Sequence, residues 1–298
     1  MKTWVRKTLS VGVLAAGALL VASTAAQADV DQNSWDNNGI GNGIQVVSGL
    51  SVPVNLVGNA IGVAGEANAA GSGVNYTEGH RNVTQNSKDN NGALNGLQAY
   101  APVWIPVNAV GNAVSVLGEA NAAGAGVNKR TESTQVTEHK HRDRDRDRGG
   151  NGVQNSWDNN GLLNGLQVYA PVDIPINFCG NSIALLGEAN AQAVCWNGST
   201  RGRKTEKAQQ NTTDNNGALN GVQLLSGLHM PINLSGNAIA VAGEGNAAAA
   251  SHNESGKDND VQQNSSDNNG IANGLQAYAP IDIPINACGN ALGILGEA

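Results

Sequence analysis

The sequence is poor in aromatic residues and in positive charge. Its 298 residues include one Phe, and aromatic residues make up 3% of the chain. A conventional enzyme of this length usually has more aromatic bulk in its core, so an ordinary catalytic domain is not expected. Lys and Arg total 17 against 24 Asp and Glu. An acidic chain is repelled by the phosphate backbone, so nucleic acid is excluded as a partner.

Long apolar runs are also scarce, and the one that is present lies at the N-terminus. Three basic residues within the first seven positions precede the apolar stretch Leu9–Ala22, and Ala26-Gln27-Ala28 follows as a small-x-small cleavage site. This order is typical of a secretory signal peptide, which we place at residues 1–28. A retained anchor is the alternative, although the run is short for a bilayer span. The remaining chain is predicted not to span a membrane.

Repetition is what the sequence has in abundance. The string DNNG begins at Asp36, Asp89, Asp158, Asp214 and Asp267. In each copy a Gln, a Pro, an Asn, a Gly-Asn pair and a Glu follow at fixed distances, in the first copy Gln45, Pro53, Asn55, Gly58-Asn59 and Glu66. The starts are separated by 53, 69, 56 and 53 residues. Because no copy contains an insertion, the repeated unit is the structural module.

Each unit is predicted to contain a β-hairpin. In the third unit, Gly180-Asn181 suits a two-residue turn because Gly accepts a positive φ. That register places Phe178 opposite Ile183 and Ile176 opposite Leu185, which gives one apolar face and one small, polar face. The other four units give the same pattern, and the Gly content disfavours a helix.

A further strand is predicted around each Gln, over 43–47 in the first unit, after an Asn-Gly turn. The repeated Pro cannot donate to a strand ladder, so it belongs on an edge or at a bulge. The predicted fold class is therefore all-β, with five tandem β-hairpin or short-sheet repeat modules joined by flexible polar linkers.

The predicted segments are a signal peptide at 1–28, repeats at 36–76, 89–128, 158–198, 214–253 and 267–298, and a charged disordered linker at 129–154. Within that linker, Arg alternates with Asp from Arg142 to Arg148, a pattern typical of a solvated spacer. His139 and His141 lie there too, but two His without further ligands nearby are more typical of a polar linker than of a metal site.

A hairpin with one apolar face is marginal when it is alone in water. It must cover that face with a neighbouring repeat, another molecule, or an interface such as air, lipid or polymer. Segments that are β-prone, low in charge and built on one plan are typical of cross-β stacking. Self-assembly is therefore the prediction, and a soluble array that stacks its units internally is the alternative.

The repeated acids are candidates for chemistry. Asp36 and Glu66 recur as a pair, but no His, Ser-His pair or Lys recurs beside them, so no catalytic residue is predicted and the chain is not expected to be an enzyme. Ser34-x-Asp36-x-Asn38-Gly39 has the polar rhythm that opens an EF-hand loop, yet Gln45 stands where the bidentate Glu should be. A simple turn explains the string better. No metal and no cofactor are predicted.

The tryptophans offer a second class of function. Trp35, Trp104 and Trp157 could stack on sugars, which would make the chain a glycan-binding adhesin. Together with the EF-hand-like string, the alternative function is a calcium- or glycan-binding repeat adhesin of the cell wall. The position of Trp35 is not aromatic in most copies, because it is occupied by Lys88, Thr213 and Ser266. Local packing is therefore the preferred interpretation of these side chains.

The repeat cores read PVNLVGN, PVNAVGN, PINFCGN, PINLSGN and PINACGN, each after a Gln-containing segment such as NGLQVYAPVD. This order and spacing resembles the chaplin module of filamentous actinobacteria. The resemblance implies secretion to the cell wall and cell surface, β-rich, amyloid-like assembly, and a surface coat that aids aerial growth or attachment. It implies as partners the chain itself and related chaplin-like proteins, with a cell-wall polymer as a further candidate.

The three cysteines fit an oxidising compartment. The resemblance implies a disulfide between Cys179 and Cys195 within the third unit. Cys288 is then left over, and an odd Cys in a secreted chain indicates an intermolecular bridge or a free thiol. Cys288 also stands where Val57 and Ser235 stand in other units, so a small buried thiol is an equal alternative.

Overall fold

The computed structural model describes residues 30–46, 48–78, 83–131, 151–199, 206–254 and 259–297. Within these ranges the chain forms 29 β-strands and no helix. The strands occur in five successive coils. Coils 1–4 each contain six strands in the same order, and the described part of coil 5 contains the first five of them. The predicted signal peptide lies outside the described residues.

The strand boundaries repeat from coil to coil. Coil 1 contains β1 (Val30–Trp35), β2 (Asn38–Ile40), β3 (Gln45–Val46), β4 (Val54–Val57), β5 (Ala60–Ala64) and β6 (Ala67–Glu78). Coil 2 contains β7 (Val83–Lys88), β8 (Asn91–Ala93), β9 (Gln98–Ala99), β10 (Val107–Val110), β11 (Ala113–Leu117) and β12 (Ala120–Thr131). Coil 3 contains β13 (Asn151–Trp157), β14 (Asn160–Leu162), β15 (Gln167–Val168), β16 (Ile176–Cys179), β17 (Ser182–Leu186) and β18 (Ala189–Ser199). Coil 4 contains β19 (Glu206–Thr213), β20 (Asn216–Ala218), β21 (Gln223–Leu224), β22 (Ile232–Ser235), β23 (Ala238–Ala242) and β24 (Gly245–Asn253). Coil 5 contains β25 (Asn259–Ser266), β26 (Asn269–Ile271), β27 (Gln276–Ala277), β28 (Ile285–Cys288) and β29 (Ala291–Gly293).

Equivalent strands of successive coils pair side by side, so the chain is a parallel β-solenoid. We number the sheets by the order of their strands within a coil. Sheet 1 runs β1-β7-β13-β19-β25, sheet 2 β2-β8-β14-β20-β26, sheet 3 β3-β9-β15-β21-β27, sheet 4 β4-β10-β16-β22-β28, sheet 5 β5-β11-β17-β23-β29 and sheet 6 β6-β12-β18-β24. Every pairing is parallel and in register, as where Asn108 lies between Asn55 and Asn177.

The prediction of an all-β fold of repeated modules is confirmed, but the predicted hairpin pairing is wrong. The strands on either side of Gly180-Asn181 lie in different sheets, 4 and 5. Phe178 pairs with Ala109 and Leu234 of the neighbouring coils instead of Ile183. The turn itself is present, but it bends the chain from one sheet into the next. A hairpin would leave its outer edges unpaired, whereas stacking gives each inner strand two partners.

The predicted strand around the repeated Gln is confirmed, and in coil 1 it covers Gln45–Val46. The segments assigned to flexible polar linkers are strands where the structure describes them. Residues 129–131 and 151–154 of the charged segment belong to β12 and β13, and 132–150, with His139 and His141, lie outside the described residues. The polar segments form strands because their Gln and Asn side chains bond to identical residues one coil away, as Gln85 does to Gln32 and Asn86 to Asn33. Their Ser side chains bond to Asn of the following coil, as Ser87 does to Asn159.

A glycine is required at the corner between sheets 4 and 5. Gly111 has φ of 61°, and its N–H donates to the carbonyl of Val57 over 2.8 Å. A Cβ at this position would overlap the carbonyl oxygen of Ala123 on sheet 6. The corner therefore needs both the left-handed backbone and the absence of a side chain.

The interior of the solenoid holds small side chains on one side and amides on the other. The alanine cluster joins sheets 5 and 6 and consists of Ala67, Ala69, Ala113, Ala120, Ala122, Ala184, Ala189, Ala191, Ala238 and Ala240. Sheets 1 and 3 face each other through glutamines, since Gln167 Nε2 donates to the carbonyl of Asn155 over 2.7 Å. Because sheets 5 and 6 approach closely, the space between them has no room for aromatic side chains. The buried aromatic residues Tyr100 and Trp104 lie instead in the segment between β9 and β10.

Candidate functional site

Buried amide ladders run along the solenoid. Gln154 donates through Nε2 to Gln85 Oε1 over 2.7 Å and accepts at Oε1 from Gln210 Nε2 over 2.7 Å. All three side chains are fully buried. A buried amide is costly unless it is paired, and only the same residue in the next coil is placed to pair with it. These ladders therefore fix the register of the coils to the residue.

Buried asparagine side chains also pair with the equivalent asparagine of the next coil. Asn90 Nδ2 donates to Asn159 Oδ1 over 2.8 Å, and Asn128 Nδ2 donates to Asn197 Oδ1 over 3.0 Å. The DNNG string is thus the start of an amide ladder at a corner, with Asp36 at φ of 53°. The sequence analysis began each unit at this Asp and missed the preceding Gln-Asn-Ser/Thr stretch of sheet 1. Its recurrence before each DNNG was the signal that could have revealed it.

The outward side of sheets 4 and 5 carries the large aliphatic side chains. We define the apolar face as Leu56, Ile61, Val63, Ala109, Val114, Val116, Phe178, Ile183, Leu185, Leu234, Ile239, Val241, Ala287, Leu292 and Ile294. No member is charged, and exposure reaches 82% at Ile61 and 43% at Phe178. The predicted division into one apolar and one small, polar side is present, but the small, polar side is the buried one.

The alternation of side chains along these strands explains that choice. In β17, Ser182 and Ala184 point inward and are fully buried, while Ile183 and Leu185 point outward. The inward positions must be small because sheet 6 packs directly against them. Larger side chains would force the two layers apart and break the amide pairing. The aliphatic residues are therefore left on the surface, where contiguous apolar area marks an interaction site.

A disulfide crosses the interior of coil 3 between sheets 4 and 6. Cys179 and Cys195 are joined with their Cα atoms 6.6 Å apart. In coil 4 the equivalent positions hold Ser235 and Ser251, whose hydroxyl oxygens are 2.7 Å apart. One pair of facing positions thus carries a covalent link in one coil and a hydrogen bond in the next. Cys288 follows Ser235 in sheet 4 and is a half-buried free thiol.

The repeated acids form two exposed columns at different corners of the coil. Asp36 precedes sheet 2, whereas Glu66 precedes sheet 6. Each column stacks one carboxylate per coil, since Ala120 N–H donates to the carbonyl of Glu188 and the adjacent coils repeat this bond. In the part of the chain that the structure describes, no group of three or more His, Cys, Asp or Glu is placed to hold a metal ion.

The tryptophans do not form one platform. Trp35 is 58% exposed at the end of β1, and Trp157 occupies the same column two coils away with Lys88 between them. Trp104 is buried in the loop before sheet 4. In the same loops of coils 3 and 4, His229 Nδ1 lies 3.2 Å from Asp173 Oδ2, a contact between coils that the sequence analysis did not single out.

No helix among the described residues is long and apolar enough to cross a membrane. The apolar face and the two acidic columns are the repeated surface features of the described coils.

Comparison with known proteins finds one family model that matches three separate segments of the chain. The ChpA-C family model matches residues 77–128, 147–197 and 252–298, which together make up half of the chain. Chaplin-B of Streptomyces coelicolor is 36% identical over 32% of this chain and 51% of its own length. Chaplin-C of the same organism is 40% identical over 32% of this chain and 41% of its own length.

The chain thus spans about half the length of the curated relatives it matches, or less. No solved structure matches it. Since the ChpA-C model matches three separate segments that together make up half of the sequence, the chain belongs to the chaplin family and carries its module in repeated copies.

Proposed function

We propose that this protein is a secreted structural protein of the cell surface, with no enzymatic role. It self-assembles through its β-rich coils into an amyloid-like coat that aids aerial growth or attachment. The observation that carries the proposal is the apolar face, which lies on the outside of an ordered solenoid.

The physical argument starts from the cost of leaving this face in water. Burying an aliphatic or aromatic side chain of this size stabilises a protein by about 1.5–3 kcal/mol when burial is complete. The face presents three such side chains in coil 1 alone, Leu56, Ile61 and Val63, at 60%, 82% and 70% exposure. Its free energy therefore falls when an apolar phase or another apolar surface covers it.

The interior supports assembly as well. Strands that stack in parallel and in register, with identical amides above one another, have the geometry of cross-β structure. A molecule that is already folded in this way offers its strand edges to further copies without first rearranging.

Export is supported by three features of the chain. The first 28 residues have the order of a signal peptide. The Cys179–Cys195 bond belongs in an oxidising compartment. The relatives are chaplins by name. Related chaplin-like proteins are the proposed partners beside the chain itself.

The test uses the chain without residues 1–28 and two matched variants. F178K/I183K places two charges on the apolar face, at positions where the side chains are already 43% and 42% exposed. V194K places a charge on the outward side of sheet 6, where Val194 is 61% exposed. Circular dichroism first establishes that both variants keep the β-spectrum of the parent. Surface tension at an air–water drop and adsorption to a polystyrene bead are then measured.

We expect F178K/I183K to lose most of its surface activity, because each charge must be kept in water when the face is covered. V194K should behave as the parent does. Equal adsorption by the parent and both variants would remove the apolar face from the proposal. A parent that lowers no surface tension and forms no β-rich film would overturn the coat function itself.

A further inference from the structure

The backbone hydrogen bonds between coils have a direction. At one set of corner positions, the N–H of a coil donates to a carbonyl of the following coil. Asp214 N–H donates to Ser266 over 3.3 Å, and Ala238 N–H donates to Asn290 over 2.8 Å. In coil 5 the residue equivalent to Ala238 is Ala291, so its N–H points away from coil 4, on the side where the described residues form no further coil.

The other set of positions has the opposite direction. Asn91 N–H donates back to the carbonyl of Asn37 over 2.7 Å, and Val107 N–H donates back to Pro53 over 3.3 Å. In coil 1 the residue equivalent to Val107 is Val54, so its N–H points away from coil 2. The two ends of the solenoid therefore carry complementary rows of donors and acceptors.

The side-chain ladders also have a direction, and it is opposite at the two corners. In the ladder of the DNNG corner, Asn215 Nδ2 donates to Asn268 Oδ1 over 2.9 Å, so the donor lies in the earlier coil. In the ladder of the Gly-Asn corner, Asn290 Nδ2 donates to Asn237 Oδ1 over 2.8 Å, so the donor lies in the later coil. A coil added beyond coil 5 must supply an acceptor for Asn268 Nδ2 at the DNNG corner. At the Gly-Asn corner it must supply an amide that donates to Asn290 Oδ1.

Coil 1 supplies the residues that such a neighbour needs. Beside Asn268 it would place Asn37, and beside Asn290 it would place Asn59. The remaining ladder positions also match, because Gln32, Asn33 and Asn42 of coil 1 correspond to Gln263, Asn264 and Asn273 of coil 5. The stacked residues Gln45 and Asn55 likewise correspond to Gln276 and Asn286. Complementary donors at two ends and identical ladder residues select one partner, which is a second copy of this chain.

Burial along sheet 3 indicates that the end coils are incomplete surfaces. Gln98, Gln167 and Gln223 are fully buried in the inner coils, whereas Gln45 and Gln276 of the end coils are only half-buried. Open edges of this kind are templates for further strands. Sheet 6 is the exception at the junction, since coil 5 contributes no described strand to it.

We propose that coil 5 of one molecule stacks on coil 1 of the next, so that the assembly grows head to tail along the solenoid axis. The inference rests on the self-assembly proposed above and names its surface and its partner. Such an interface joins two different patches and does not close on itself, so it gives an open filament instead of a dimer. The apolar face runs along the side of the filament and is not used in its growth.

The experiment blocks one end at a time in the chain without residues 1–28. A291P removes an outward N–H from coil 5, and V54P removes one from coil 1; a proline at a strand edge prevents pairing there. A291S keeps the backbone N–H at a position where coil 3 has Ser182, and it serves as the control. Circular dichroism and the mass of the Cys179–Cys195 disulfide report whether each variant is folded.

Filament growth is followed by light scattering and electron microscopy, and particle mass by analytical ultracentrifugation. We expect A291P and V54P each to slow elongation about tenfold or more, because a lost backbone bond and a steric block act together at one edge. A291S should elongate as the parent does. An equimolar mixture of A291P and V54P should give discrete dimers, joined by the one pair of ends that remains open.

If the proline variants lose their β-spectrum, the pair N290K and N59K replaces them. Both side chains are exposed, and each substitution puts a charge on one terminal rung of the same ladder. Parent filaments together with unimpaired growth of both blocked variants would overturn head-to-tail stacking and leave the coat function intact. A mixture that grows into long filaments would overturn it as well. A parent that forms no assembly at all contradicts the proposed function instead.

Discussion

Replacing Gln154 by Ala should destabilise the solenoid far more than replacing its neighbour Asn155 by Ala. Both residues lie in β13, and each bonds to its equivalents in the two adjacent coils. Gln154 is fully buried, and its loss leaves Gln85 Oε1 and Gln210 Nε2 without partners at positions that water does not reach. A buried unpaired group costs about 1–3 kcal/mol, so Q154A should lose about 2–6 kcal/mol before any cavity term.

Asn155 makes matching bonds of 2.9 Å to Asn86 and 2.8 Å from Asn211, but on the outward side of the sheet. Water replaces those bonds when the side chain is removed, so N155A should cost about 0–1 kcal/mol. The assay is urea unfolding of unassembled protein, read by far-UV circular dichroism. A loss for N155A as large as that for Q154A would refute the reasoning, because burial would then not decide the value of a ladder amide.

Three further predictions concern the corners, the disulfide and the acidic columns. G111A should lower the unfolding midpoint strongly, because the new Cβ overlaps a carbonyl of sheet 6. In the matched variant G41A the new Cβ would meet only Ile44 at 4.0 Å, so G41A should show only the cost of a positive φ. C179S/C195S should fold with a loss of about 3 kcal/mol for an opened loop of this length, and C179A/C195A should lose about 1 kcal/mol more, because serines form the hydrogen bond seen in coil 4. E188Q should raise the urea midpoint in low salt and leave it unchanged in molar salt, because it removes one exposed carboxylate from a column whose repulsion salt screens.

Each of these predictions has an outcome that contradicts it. Equal losses for the two glycine variants would mean that the corner is open, contrary to the overlap with Ala123. Equal stability of the serine and alanine pairs would show that the facing hydroxyls do not bond in coil 3. A midpoint for E188Q that stays above that of the parent at high salt would point to packing instead of charge.

Much of the fold could be predicted from the sequence, but the pairing of its strands could not. Gly180-Asn181 was correctly identified as a turn, and the apolar and small, polar sides of the flanking strands were correctly separated. Phe178 was nevertheless paired with Ile183, because side chains alternate in the same way in an antiparallel hairpin and in a parallel stack. The pattern along one strand contains no information about the direction of its neighbour.

The sequence also determined the location of the candidate site only in part. The sequence revealed that an apolar face exists and required that something cover it. The sequence left open whether that cover is a neighbouring repeat, another molecule, or an interface such as air, lipid or polymer. Here the amide ladders and alanines need a narrow interior, so Ile61 and Phe178 are on the surface.

The sequence by itself determined the length of the repeat, the corners, the strand positions around the Gln and the cysteine positions, because these depend on local backbone preference and on spacing. Only the tertiary structure decided that equivalent strands stack coil on coil, that polar segments such as Val83–Lys88 are strands, and which side of each sheet is inside. The physical reason is that a Gln or Asn is costly in a core until an identical residue lies one strand away. That condition is a property of the stacked coils and not of any single unit.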